Sequence, residues 1–130
     1  MMLLNDFYQI ADADFCTAQP LARVCLNPSH EIYQAHFPGQ PITPGVCQIQ
    51  MAMELLAYGL KAEVCLTDIK HVKFMAVITP EETPCLCCRF TKLAVDGDTC
   101  RASAMLEWEG RVFTKMSITC HVVRHHTDIQ

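Results

Sequence analysis

The sequence predicts an α+β domain in which a curved antiparallel sheet wraps one long central helix, and three observations predict it. Between Val46 and Leu60 nearly every residue is apolar, a stretch of about four helical turns with too little polar surface to lie against water. Four runs with strand-like alternation follow: Asp68 to Val77, Cys85 to Val95, Thr99 to Trp108 and Arg111 to Val123. The last three are joined by Asp96-Gly97-Asp98 and Glu109-Gly110, short turns of the kind that close antiparallel hairpins. One helix and then a meander is the order of an α+β domain, not of alternating β-α units. A chain of 130 residues holds one such domain, spanning residues 1–130.

Taken in order, Leu21 to Asn27 reads as a strand with Ala22, Val24 and Leu26 on its inner face. Asn27-Pro28-Ser29 opens a compact segment, His30 to Gly39, whose Pro38-Gly39 close marks it as turn and loop. Thr43-Pro44-Gly45 supplies a helix start, with Thr43 as N-cap and Pro44 in the first helical position. Gly59 is the stop signal near the far end. The polar exceptions within the helix are Gln48, Gln50 and Glu54. In the run Thr99 to Trp108, Cys100, Ala102, Ala104, Leu106 and Trp108 share one face. The tail from His125 to Gln130 reads as a frayed end.

Composition narrows the function. Apolar residues make up 51% of the chain, enough for a well-formed core, and charged residues only 18%, which fits a surface partly covered by another subunit. A formal charge of −4 without a basic run argues against nucleic acid or an anionic membrane as partner. The first residues, Met1-Met2-Leu3-Leu4-Asn5-Asp6, lack the features of a secretory signal, and no run reaches the roughly 18 apolar residues of a membrane span. The expectation is a cytoplasmic protein. The nine cysteines are an odd number without an export signal, so a disulfide framework is not expected and most read as small core hydrophobes. Cys85-Leu86-Cys87-Cys88 resembles a metal motif only superficially. It lies in a strand, where neighbouring side chains point to opposite faces, and no second cluster with zinc spacing follows. No metal and no cofactor are predicted.

The chemistry concentrates in His36-Phe37-Pro38-Gly39-Gln40-Pro41-Ile42-Thr43-Pro44-Gly45-Val46. This segment resembles the signature of the bacterial 3-hydroxyacyl-acyl-carrier-protein dehydratases of fatty-acid elongation. In those enzymes a histidine in an H-F-P-G loop precedes P-x-x-P-G-V and the central helix. Lys73-Phe74 before Pro80 also sits where that family often has a K-F or R-F pair. The resemblance implies the hotdog fold and a lyase that converts 3-hydroxyacyl thioesters to trans-2-enoyl thioesters. The substrate would be carried by acyl carrier protein or CoA, in fatty-acid or in specialised polyene or polyketide synthesis. It also implies a homodimer or an assembly of dimers, the histidine of one subunit facing the helix of the other, and substrate contacts at Phe37, Gly39, Gly45 and Val46. Met51, Met53, Leu55 and Leu56 of the helix could line an acyl tunnel, with plain core as their default role.

The residues carry a physical logic of their own. Dehydration needs a base for a C2 proton, an acid for the departing hydroxyl and donors for the thioester oxygen. A neutral imidazole, with an ordinary pKa of about 6.5, suits the base, and His36 is the candidate. The backbone amides of Gly45 and Val46 fall in the first helical turn, where no intrahelical acceptor exists. They can face an oxygen gaining negative charge, and Gly45 brings no side chain to block it.

One position departs from the resembling family. Its helix carries a carboxylate fourteen positions after the histidine, and here that position is Gln50. An amide hydrogen-bonds but does not exchange a proton as an acid does. Glu54 follows four residues later, where many of those enzymes carry glutamine, about 6 Å along the same helix face. Two roles for Glu54 remain open: the acid of the reaction, directly or through water, or a carboxylate tied to a partner group at the helix's buried side. Two other functions stay open beside the dehydratase: a thioesterase in which Glu54 activates water, and an acyl-thioester-binding homologue that has lost catalysis.

Overall fold

The computed structural model describes residues 2–36, 39 and 41–123. Its elements in chain order are β1 (Tyr8–Asp14), β2 (Leu21–Leu26), α1 (Glu31–His36), α2 (Gly45–Leu60), β3 (Glu63–Phe74), β4 (Cys85–Asp96), β5 (Thr99–Trp108) and β6 (Arg111–Val123). The six strands form one antiparallel sheet in the order β1-β2-β4-β5-β6-β3. No described helix is long and apolar enough to cross a membrane.

Helix α2 packs on one face of this sheet through Met51, Ala52, Leu55 and Leu56, all fully buried. Their spacing places them on one stripe. They share a single core with Ala22 and Val24 of β2, Leu86, Cys88 and Phe90 of β4, Ala104 and Leu106 of β5, and Met116 and Ile118 of β6. The inward set predicted for β2 and for most of β5 is the set found buried. The opposite side of α2, expected to be buried like the rest of this apolar run, is not enclosed by the described residues: Val46 is 66% exposed and Tyr58 51%, with Ile49, Gln50, Met53 and Ala57 half-buried between them.

The two C-terminal hairpins pair as their turns predict, and β5 and β6 have the expected bounds. Strand β3 starts at Glu63, ahead of the predicted Asp68, and its ladder ends at Phe74, ahead of Val77. Lys61 turns left-handed (φ 54°) at the end of α2 and sends the chain directly into the sheet. Past Phe74, the amides of Met75 and Ala76 both donate to the Phe113 carbonyl, and pairing stops. Strand β1 has no counterpart in the sequence reading. It is a polar edge strand, exposed over most of its length and bulged between Ile10 and Asp12, so it shows no clean alternation.

Three expectations are corrected. Part of the His30–Gly39 segment, read as turn and loop, is the helix α1. Its start is held by a histidine in place of the usual hydroxyl or carboxylate: His30 Nδ1 accepts the Ile32 amide at 3.0 Å while Nε2 meets Asp6 at 3.1 Å. Thr43 is not the N-cap of α2. Pro44 holds that position with extended backbone and no side-chain bond to the helix. Gly59 does not end α2, which runs on to Leu60. A Cβ at Gly59 would overlap the Phe15 ring, so the glycine is there to let that ring approach. Gly59→Ala is therefore expected to destabilise the fold by about 1–3 kcal/mol through overpacking, although alanine is the better helix former. Urea denaturation would show it, and Phe15→Ala in the same chain should remove most of the difference between glycine and alanine.

Candidate active site

The start of α2 is fixed by a small buried polar network. The Thr43 amide donates to the Ile78 carbonyl at 2.8 Å, and the hydroxyls of Thr43 and Tyr33 share a bond of 2.8 Å. Gln48, one turn into the helix, reaches back to donate from Nε2 to the Thr43 carbonyl at 3.2 Å, while its Oε1 accepts from the Thr114 hydroxyl of β6. Thr43, Gln48 and Thr114 are buried, and every polar side-chain atom buried among the described residues has a partner. Such a network is costly to break, because each buried group left over loses its water without replacement. It ties α1, the helix start and β6 into one rigid unit.

The Cys47 and Gln48 amides both donate to the Pro44 carbonyl, at 3.0 and 3.1 Å. Gly45 and Val46 then carry the first-turn amides that have no acceptor inside the helix, as expected. Gly45 differs from its sequence reading in one respect. The space its missing side chain leaves is taken by Phe74, whose ring lies 2.6 Å from where a Cβ would be. The ring is half exposed, at the end of a strand. A shallow cleft of about 370 Å³ passes this point, bounded by Ile42, Pro44, Gly45, Phe74, Met75 and Val77.

His36 is the last residue of α1, so its backbone follows Tyr33 by one helical turn. Its side chain lies outside the described residues, as does the whole of Phe37. Gly39 is exposed and turns at φ 84°, a conformation that disfavours any residue with a Cβ.

Burial pushes the Tyr33 hydroxyl up to about 12, partly offset by its bond to Thr43. The folded pKa lies above the ordinary value of 10, so the stabilisation is complete below pH 10 and is lost as pH rises toward 12. Urea midpoints should therefore fall over that window, and Tyr33→Phe should flatten the fall while lowering the midpoint at neutral pH.

Gln50 and Glu54 stand together one turn apart. The Gln50 amide donates from Nε2 to Glu54 Oε2 at 2.8 Å. The same carboxylate accepts the Leu3 amide at 2.7 Å, the Leu4 amide at 2.8 Å and the Tyr8 hydroxyl at 3.0 Å. Four donors on two oxygens suit an ionised carboxylate, an acceptor only. Burial first, and the Glu54 charge second, push the Tyr8 hydroxyl well above its ordinary range. Beside this pair opens a cleft of about 490 Å³, walled by Met2, Leu4, Met53, Ala57 and Val64, with Gln50 and Glu54 at its polar side. Of the four helix residues named for an acyl tunnel, Met51, Leu55 and Leu56 are plain core, and Met53 alone reaches this cleft.

The candidate site thus has two parts on one helix: the amides at Gly45 and Val46, and the Gln50–Glu54 pair about 6 to 14 Å further along. Sequence reasoning missed what holds each part. Gln48 carried the one available signal, a glutamine in an otherwise apolar buried run. Tyr33, Thr114 and the amides of Leu3 and Leu4 gave none, being brought in by tertiary contact.

Comparison with known proteins bears on this geometry. Residues 16–102, two thirds of the chain and including the whole of the proline-rich segment and α2, match the ApeI dehydratase family. The chain belongs to the ApeI-like dehydratases. No curated protein matches the ApeI-like chain in sequence. Among solved structures, the dehydratase heterocomplex ApeI:P from Xenorhabdus doucetiae superposes with a TM-score of 0.66 at 20% identity, over 86% of this chain and 96% of that one. A hypothetical thioesterase from Streptococcus pneumoniae, solved with coenzyme A, gives 0.64 at 12% identity over 94% and 93%. A putative thioesterase from Ralstonia eutropha gives 0.62 at 14% over 89% and 84%. At these identities the likeness is one of fold, and the fold is the hotdog. The ApeI-like chain is a hotdog domain of a dehydratase family.

Proposed function

We propose that this chain dehydrates 3-hydroxyacyl groups carried as thioesters on acyl carrier protein, with His36 as the base. Family membership supports the reaction class. The observation that carries the site is the Tyr33–Thr43 bond, which pins the helical turn ending at His36 to the residue just ahead of the α2 amides. In this reading the Gly45 and Val46 amides take the thioester oxygen as it becomes enolate-like. His36 removes the C2 proton and returns it to the hydroxyl, which leaves as water while the C2–C3 double bond forms. Gln50, held by Glu54, orients the hydroxyl by hydrogen bonding. Glu54 then acts as a positioning residue, since both of its oxygens are already occupied.

The completed site is proposed to lie between two subunits. Strand β3 is the edge of the sheet, and Val46, Phe74 and Val77 leave an apolar patch beside it. Pairing of two β3 edges would cover it. The Xenorhabdus relative is a heterocomplex, so sizing the purified chain by light scattering decides between a homodimer and a need for a second kind of subunit.

The decisive assay offers purified protein a panel of 3-hydroxyacyl carrier-protein thioesters of increasing chain length. Growth of enoyl absorbance supports the proposal. Release of free thiol without enoyl product would make the chain a thioesterase, and tight binding without turnover would make it an acyl-binding homologue.

A further inference from the structure

Cys25 of β2 and Cys85 of β4 are direct cross-strand partners, and their sulfurs lie 3.7 Å apart. The Leu26 amide donates to the Pro84 carbonyl at 2.8 Å, which makes Leu26 and Pro84 the hydrogen-bonded pair of this ladder. Cys25 and Cys85, one step along, therefore occupy a non-hydrogen-bonded pair, the kind in which opposed Cα atoms come closest, at about 4.5 Å. That separation falls in the range a disulfide spans, about 4.4–6.8 Å, so the link needs side-chain rotation and no backbone shift.

The pair is also reachable. Cys25 is exposed and Cys85 half-buried, and Cys25 opens on a surface concavity of about 270 Å³ beside Asn5, Gln9 and Pro28. A second pair of opposed cysteines supplies the contrast. Cys100 and Cys120 also face each other across β5 and β6, but both are buried in the core. The Val122 amide donates to the Asp98 carbonyl at 2.7 Å, and alternation along the ladder then puts Cys100 and Cys120 at a hydrogen-bonded pair, with wider spacing. Exposed Cys65 faces His121.

We infer that Cys25 and Cys85 form a dithiol that oxidises reversibly to a disulfide across β2 and β4, with a low-molecular-weight disulfide as the oxidant. The Cys25 thiolate attacks one sulfur of that reagent, making a mixed disulfide and releasing the first small thiolate. The Cys85 thiolate then attacks the Cys25 sulfur and releases the second. Two electrons pass from the cysteine pair to the reagent, and the two thiol protons end on the released thiolates. The closed loop contains α1, α2 and β3, so the link restricts the unfolded chain over the whole segment that bears His36. The inference does not depend on the dehydratase reading.

The test treats the folded full-length protein with glutathione disulfide, alkylates the remaining thiols, and maps peptides without reduction. The expected result is a Cys25–Cys85 cross-linked species, lighter than the reduced peptides by two hydrogens and reopened by dithiothreitol. The unfolding midpoint should rise by several degrees on oxidation, and neither Cys25→Ser nor Cys85→Ser should show the rise. A stable glutathione adduct on Cys25 with Cys85 still open to alkylation would overturn the inference. So would a lack of reaction at both, or cross-links involving mainly Cys16 or Cys65.

Discussion

Glu54→Ala is expected to lower the unfolding free energy by about 3–5 kcal/mol, a larger loss of stability than Gly59→Ala should cause. The carboxylate accepts the Leu3 and Leu4 amides, the Tyr8 hydroxyl and the Gln50 amide. Alanine removes all four acceptor contacts at once. Leu3 and Tyr8 are buried, so water cannot readily replace what is lost there. Each buried donor left without an acceptor costs about 1–3 kcal/mol, and partial recovery by Leu4 and Gln50, which lie nearer solvent, keeps the total below the simple sum. Glu54→Gln should fall between, because its amide keeps one acceptor oxygen and turns a donor toward the others. Urea denaturation followed by tryptophan fluorescence measures the series, and Tyr8→Phe isolates one contact at about 0.5–1.5 kcal/mol. A change below about 1 kcal/mol for the alanine variant would contradict the network as described.

The second large effect concerns turnover. If His36 is the base, His36→Ala should reduce kcat for dehydration by about 10²–10⁴-fold, with much less change in KM, because the thioester contacts proposed for the Gly45 and Val46 amides would be kept. The low-pH limb of the activity profile, where a protonated imidazole cannot act, should vanish with it. Thermal melts run alongside separate a catalytic from a folding defect. Activity retained within threefold of the parent chain would remove His36 from the mechanism. Gln50→Ala should give a smaller loss, consistent with an orienting amide, and its effect should shrink in a Glu54→Gln background, where the amide is no longer held by a carboxylate.

Local signals suffice where the chain is regular. The hairpins at Asp96–Asp98 and Glu109–Gly110 follow from turn chemistry between alternating runs, and the existence of α2 from the long apolar run behind Thr43-Pro44-Gly45. They fail where a residue answers to a distant partner. Gly59 looks like a helix stop because glycine usually is one, yet Phe15 dictates it from more than forty positions away. Thr43 looks like a cap, and is instead held by Tyr33 and Gln48. The six residues of α1 are too few to display a helical period, and β1 is too polar to display a strand.

The apolar run from Val46 to Leu60 and the alternating runs after it are enough to name the α+β class, and the order of residues from His36 to Val46 the hotdog resemblance and the candidate base, because close spacing along a chain survives folding. What surrounds Glu54 is decided only in three dimensions: the spacing puts it one turn from Gln50, but the amides of Leu3 and Leu4 and the Tyr8 hydroxyl reach it from some fifty positions away. A carboxylate's role depends on which donors face it, and those donors are gathered by packing of the N-terminal segment over the helix, which no local pattern encodes.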